Sequence, residues 1–303
     1  MYLVKLLVDI SKGKKVWRSI EDHEEELFIQ RVSKKLYGIK KIGFVVPMKE
    51  LNTTMEDIFK SIERLDDSMV LLPEEVIEDH YDLLIVDEAH RLYLRKNLPG
   101  AQVTNRYDEI NRQLMREELT KSESDLTELD WIIRSSRLQV LFYDEFQRIR
   151  ITDIEKERFD KICSSILYKS IELISQMRCK GGNGYYDYVK SILEASNLSI
   201  RNYKYFDYYE TKVFENLDDL FEIIKIQNES DSEKGNLSKV VTGPGWTTTQ
   251  EIEICGKKYK WAKGRKDERE DVIFSIHKVQ GFDLNYAGVI LVRKSILTQK
   301  KDA

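Results

Sequence analysis

Two stretches of this chain confine it to one broad class of fold. "YDLLIVDEAHRL", residues 81–92, runs through Leu83, Leu84, Ile85 and Val86 without a polar break and turns at once to Asp87 and Glu88. "LQVLFYDEFQ", residues 138–147, repeats the pattern and ends in Asp144 and Gln147. Unbroken apolar runs of this length suit strands covered on both faces, as in a parallel sheet between helices. The neighbouring segments agree. "YLVKLLVDI" reads as a mostly buried helix, "KKIGFVVP" as a strand stopped by Pro47, and "TTMEDIFKSIERL" as an amphipathic helix capped by Thr53 or Thr54. "LTELDWIIRSS" reads as the crossover helix before the second run. Strands alternating with helices predict an α/β fold with mainly parallel sheets.

The rest of the chain is less regular. Asn97 to Ser124 is polar without clear periodicity and predicts a long surface insertion. Another helix is expected after Asp153, and "SIELISQMRCKGGNGYYDYVKSIL" reads as strand, glycine loop and helix. A boundary near residue 160 divides the chain into lobes of residues 1–160 and 161–303. In the second, "EIEICGKKYKWA" predicts a hairpin, with Ile252 and Ile254 alternating with acids and Gly256 in the turn.

A length of 303 residues suits about two domains. The sequence is 41% hydrophobic and 34% charged, enough for a core beneath a well-solvated surface. A net charge of -4 argues against a strongly basic nucleic-acid coat protein, but leaves room for a local basic groove. Three widely spaced cysteines suit a reducing compartment and no disulfide framework. The N-terminal apolar run contains Lys5 and is about half the ~20 residues a membrane span needs. It also lacks the features of a signal peptide, so a cytoplasmic protein with no membrane partner is expected.

In parallel sheets, ligands collect beyond the carboxyl ends of the strands, which is where Asp87, Glu88, Asp144 and Gln147 fall. An aspartate there can hold Mg²⁺ directly or through water, and a following glutamate can orient or deprotonate an attacking water. Helix capping by Asp87 accounts for the first acid about as well when it is taken alone. Arg178, in "ISQMRCKGGNGY", is a permanent cation at a predicted strand end and suits a γ-phosphate. "SIHKVQGFDLNYAGVIL" sets His277, Lys278 and Gln280 before Gly281. The stretch "KKYKWAKGRK" offers Lys257, Lys258, Tyr259, Lys260 and Trp261 for phosphate contacts and base stacking, against the simpler account of a solvated hairpin face. His90 and Arg91 are readable as strand-end capping or ion-pair residues, and His277 as a core histidine. A metal-dependent hydrolase with Asp87, Glu88 and His90 as ligands is disfavoured, because three such close positions do not converge from a strand end.

Together these motifs resemble the Schlafen group 3-like DNA/RNA helicase domain, a P-loop family. Asp87-Glu88-Ala89-His90 looks like the Walker B motif of superfamily 1 and 2 helicases. Gln147 matches the motif III glutamine, Arg178 the motif IV arginine, and "SIHKVQGFDLNYAGVIL" resembles motif V. The resemblance runs from about residue 1 to residue 291. It implies two RecA-like P-loop NTPase lobes and an ATP- and Mg²⁺-dependent helicase or translocase acting on DNA or RNA. It assigns catalysis to Asp87, Glu88, Gln147 and Arg178, and cofactor contacts to Asp87, Asp144, His277, Gln280 and Gly281, with Asp87 on the Mg²⁺. A longer parent with a fused or separate nuclease is within the implied range.

The family's GxxxxGK[ST], whose backbone amides cradle phosphates, does not occur in the 303 residues. No stretch matches motif VI either. The expectation is therefore a copy truncated at both ends, with impaired hydrolysis, for which a non-catalytic nucleic-acid- or partner-binding module is the alternative. Truncation next to the Walker B strand predicts that Ile85 and Val86 lack a hydrogen-bonded neighbour on one side, which favours oligomers or aggregates.

Overall fold

The computed structural model describes residues 2–12, 38–115, 126–148, 150–173, 181–193, 211–230, 237–243, 252–254, 256–263, 272–279 and 284–291, with isolated positions 27, 30, 31, 34, 206, 209, 267 and 269. The chain divides into two compact units, Met1–Lys169 and Ser170–Ala303. Among the described residues no helix is long and apolar enough to cross a membrane.

The first unit is built on a parallel sheet of β1 (Ile42–Val45), β2 (Val70–Leu71), β3 (Tyr81–Val86) and β4 (Ser136–Leu141), in the order β2-β1-β3-β4. Successive side chains of β3 point to opposite faces, and each face has its own core. Leu83 and Ile85 pack with Val4, Leu7 and Val8 of α1 (Tyr2–Ser11) and with Leu51 and Phe59 of α2 (Lys49–Ser61). Leu84 and Val86 pack with residues of three helices: α3 (Ala101–Met115), α4 (Glu128–Arg134) and α5 (Lys156–Cys163). Helices on both faces explain why β3 is apolar at every one of its last four positions.

The order of the strands corrects one expectation. β3 is interior: Ile85 is matched with Phe44 on one side and Val140 on the other, so Ile85 and Val86 lack no neighbour. Among the described strands, β4 forms the edge instead, and Leu138 is 42% exposed there. The second apolar run is thus a half-covered edge strand rather than a fully buried one.

Three local expectations also change. α2 begins four residues before Thr53, with Met48 as its cap and no side-chain capping bond; the Thr53 hydroxyl donates to the Lys49 carbonyl at 3.2 Å. The polar stretch after Asn97 contains α3, whose Tyr107, Ile110 and Asn111 are buried. Residues 170–173, expected in a strand, form neither strand nor helix, and Gly182 and Gly184 lie inside α6 (Gly182–Leu193) rather than in a loop. By contrast, α4 opens with a reciprocal cap. The Thr127 hydroxyl accepts from the Asp130 amide at 3.3 Å, and Asp130 accepts from the Thr127 amide at 2.8 Å.

The second unit holds a sheet in the order β6-β7-β8-β5-β9. Its strands are β5 (Ser238–Thr242), β6 (Ile252–Ile254), β7 (Lys257–Trp261), β8 (Val272–Ser275) and β9 (Tyr286–Ile290). β6 and β7 make the expected antiparallel hairpin, with Gly256 at φ 77°, and the other pairings are parallel. Leu220 and Ile224 of α7 (Leu217–Ser230) pack with Val240 of β5, which lies between β8 and β9. A short helix, α8 (Ile276–Val279), follows β8.

Candidate functional site

The site of the first unit lies where β3 and β4 end. The ladder runs slightly past both strands: the Phe142 amide donates to the Val86 carbonyl at 2.9 Å and the Ala89 amide to the Phe142 carbonyl at 2.7 Å. On the other side the Asp87 amide donates to the Val45 carbonyl at 3.0 Å. These bonds fix the backbone of Asp87 and Ala89 while the chain bends between them. The bend falls on Glu88, at φ 53° and ψ 41°, in the left-handed region. A glutamate there carries strain of roughly 1–3 kcal/mol, which the paired residues on either side hold in place. A one-turn 3₁₀ segment, Ala89–Arg91, follows.

His90 in that turn is 2% exposed. Its Nδ1 accepts the Asp144 amide at 3.3 Å, and its Nε2 lies 2.9 Å from Glu88 Oε2. That second contact is close but lacks hydrogen-bond alignment, so among the described residues neither atom has a hydrogen-bond partner. Asp144 caps the turn Glu145–Gln147: its Oδ1 accepts the Phe146 amide at 3.0 Å and its Oδ2 accepts Gln147 Nε2 at 2.8 Å. Glu88, Asp144 and Gln147 are thus brought together through His90, with Asp87 adjacent. His90 is more than the simple capping residue suggested by the sequence. Its neighbour Arg91 makes a buried ion pair with Asp153 at 3.1 Å.

Beneath this turn, Glu128 is buried and accepts the Tyr93 amide at 2.7 Å. Burial pushes its carboxyl up to about 8, and the nearby charges of Glu74 and Asp153 push the same way. Nothing in the sequence marked Glu128, because an acid in a first helical turn reads as ordinary surface.

The remaining expected site residues fare unevenly. Arg178, Gln280 and Gly281 lie outside the described residues. His277 lies in α8. In the hairpin, Lys257, Lys258 and Lys260 are exposed, and Lys257 pairs with Asp218. Tyr259 is buried and stacks on Phe221 with ring centroids 4.8 Å apart, so its ring belongs to the core and is no platform for bases. Trp261, half-buried, packs against the same core. Among the described residues no three His, Cys, Asp or Glu side chains gather to hold a metal.

The family model described as Schlafen group 3, DNA/RNA helicase domain matches residues 46–303. No curated protein and no solved structure matches the chain.

Proposed function

Since the chain belongs to the Schlafen group 3 DNA/RNA helicase domain family, we propose that it is an ATP-dependent, superfamily 1-like helicase or translocase domain. Its first unit would supply the acids of the nucleotide site. The observation that carries the reading is the strand-end arrangement: Asp87 and Glu88 leave the interior β3, and the Asp144–Gln147 turn leaves the adjacent β4. Asp87 would offer hard oxygen to Mg²⁺, Glu88 would orient or deprotonate a water, and Gln147 sits on the exposed rim. Bound Mg²⁺ would offset charge on the transferring phosphates.

The same 303 residues hold no GxxxxGK[ST] cradle, so ground-state grip on the phosphates should be weak. The expected result is weak Mg²⁺-dependent ATP binding by calorimetry, lost in Asp87→Ala, with hydrolysis near background even when single-stranded DNA or RNA is added. Nucleotide binding that is identical in wild type and Asp87→Ala would sink this reading. Robust turnover that vanishes in Glu88→Gln would show that other parts of the chain supply the cradle.

A second reading, a nucleic-acid-binding module without catalysis, rests on the three exposed lysines of the β6–β7 hairpin. Single-strand binding that needs Lys257, Lys258 and Lys260 and ignores Mg²⁺-ATP would favour it.

A further inference from the structure

We propose that His90 is a positioning residue that links the exposed Gln147 turn to the Glu88 carboxylate. Four groups form the link. Gln147 Nε2 donates to Asp144 Oδ2 at 2.8 Å, and the Asp144 amide donates to His90 Nδ1 at 3.3 Å. His90 Nε2 then faces Glu88 Oε2 at 2.9 Å. A neutral imidazole that accepts at Nδ1 carries its proton on Nε2, so the ring presents its donor to Glu88. The two atoms lie within hydrogen-bond distance without a hydrogen bond between them, and alignment of the carboxylate would complete it.

The ring itself has little freedom. It is buried, held behind by the Asp144 amide, and met edge-on by Tyr143 with centroids 6.1 Å apart. Glu88, by contrast, occupies a strained left-handed bend and is partly open to solvent. A ligand that pulls on Gln147 acts on Asp144, whose amide sets the ring, so the ring's donor and the less restrained Glu88 carboxylate come into or out of line. The catalytic meaning of that movement rests on the proposed nucleotide reading; the linkage of the four groups does not.

Nitrogen-15 spectra of the histidine rings in the full chain test the linkage without any need for turnover. The expected wild-type ring accepts at Nδ1 and carries its proton on Nε2. Gln147→Ala, an exposed substitution that leaves the core intact, should shift the His90 ring-nitrogen resonances. Two further variants split the ring's contacts: His90→Asn keeps an acceptor near Nδ1, and His90→Gln keeps a donor near Nε2. The Asp144 amide should exchange with solvent about five- to tenfold faster in His90→Gln than in His90→Asn. A proton on Nδ1, unmoved ring resonances in Gln147→Ala, or equal exchange in the two variants would overturn the proposal. If the ring and exchange results hold while the chain binds no Mg²⁺-ATP, the nucleotide reading fails and the linkage stands.

Discussion

Glu128 shows how one buried side chain can set the pH response of a whole unit. Its carboxyl titrates near 8 in the fold, against an ordinary value of 4.5, chiefly because burial disfavours its charge. Between those two values the folded chain keeps a proton that the unfolded chain has released. Stability should therefore be highest at low pH within this window and fall as pH rises towards 8. Each tenfold change in proton affinity corresponds to about 1.4 kcal/mol, so the loss is on the order of a few kcal/mol. Glu128→Gln keeps an acceptor for the Tyr93 amide and removes the charge, so the melting temperatures at pH 5 and pH 8 should converge in that variant. The Arg91–Asp153 pair makes the opposite case, since removing one partner strands a buried charge. Asp153→Ala should cost roughly 3–5 kcal/mol in urea unfolding, with the Arg91→Met, Asp153→Leu double variant recovering part of it.

At the scale of the element, β3 is the piece on which both cores of the first unit depend. Ile85→Ala removes buried methyls between two paired strands and should destabilise by about 2–5 kcal/mol, read from the denaturant midpoint. β3 was legible because its four apolar residues leave no solvent face to assign. α4 was legible through its apolar positions and turn residues, and the hairpin through Gly256. α3 was not recognised, although Val103, Tyr107, Ile110 and Leu114 recur at helical spacing. Its polar residues outnumber that narrow stripe and hide it. The edge position of β4 could not be read at all, because strand order is set by which neighbours pair rather than by the strand's own residues. The same limit applies to the site. The acids at both strand ends were visible in sequence, but the left-handed bend at Glu88 and the ring that connects it to Asp144 arise only from the crossing of two distant segments.

For the whole molecule, two features can be tested directly. Residues 165–173 carry exposed Leu167, Tyr168, Ile171 and Leu173 in irregular backbone beside the boundary between the two units. Such a segment fits a protease cleft, so brief chymotrypsin treatment should cut first at Leu167 or Tyr168 and leave two resistant fragments. The apolar edge at Leu138 invites strand-to-strand contact between copies. Light scattering should show concentration-dependent association that Leu138→Lys reduces; a strictly monomeric wild type would count against it. The parallel sheet of the first unit also governs how the chain reaches this state. Ile42 pairs with Leu83 and Leu83 with Leu138, so each strand pairing of β3 closes a long stretch of intervening chain. No hairpin can form early to seed that sheet, and ordering must wait for distant segments to meet. Folding of this unit should be slow beside its helices, with the β3 amides among the last to gain protection, and during that delay the apolar strand that leads into Asp87 and Glu88 is the segment most open to capture by chaperones or by other copies.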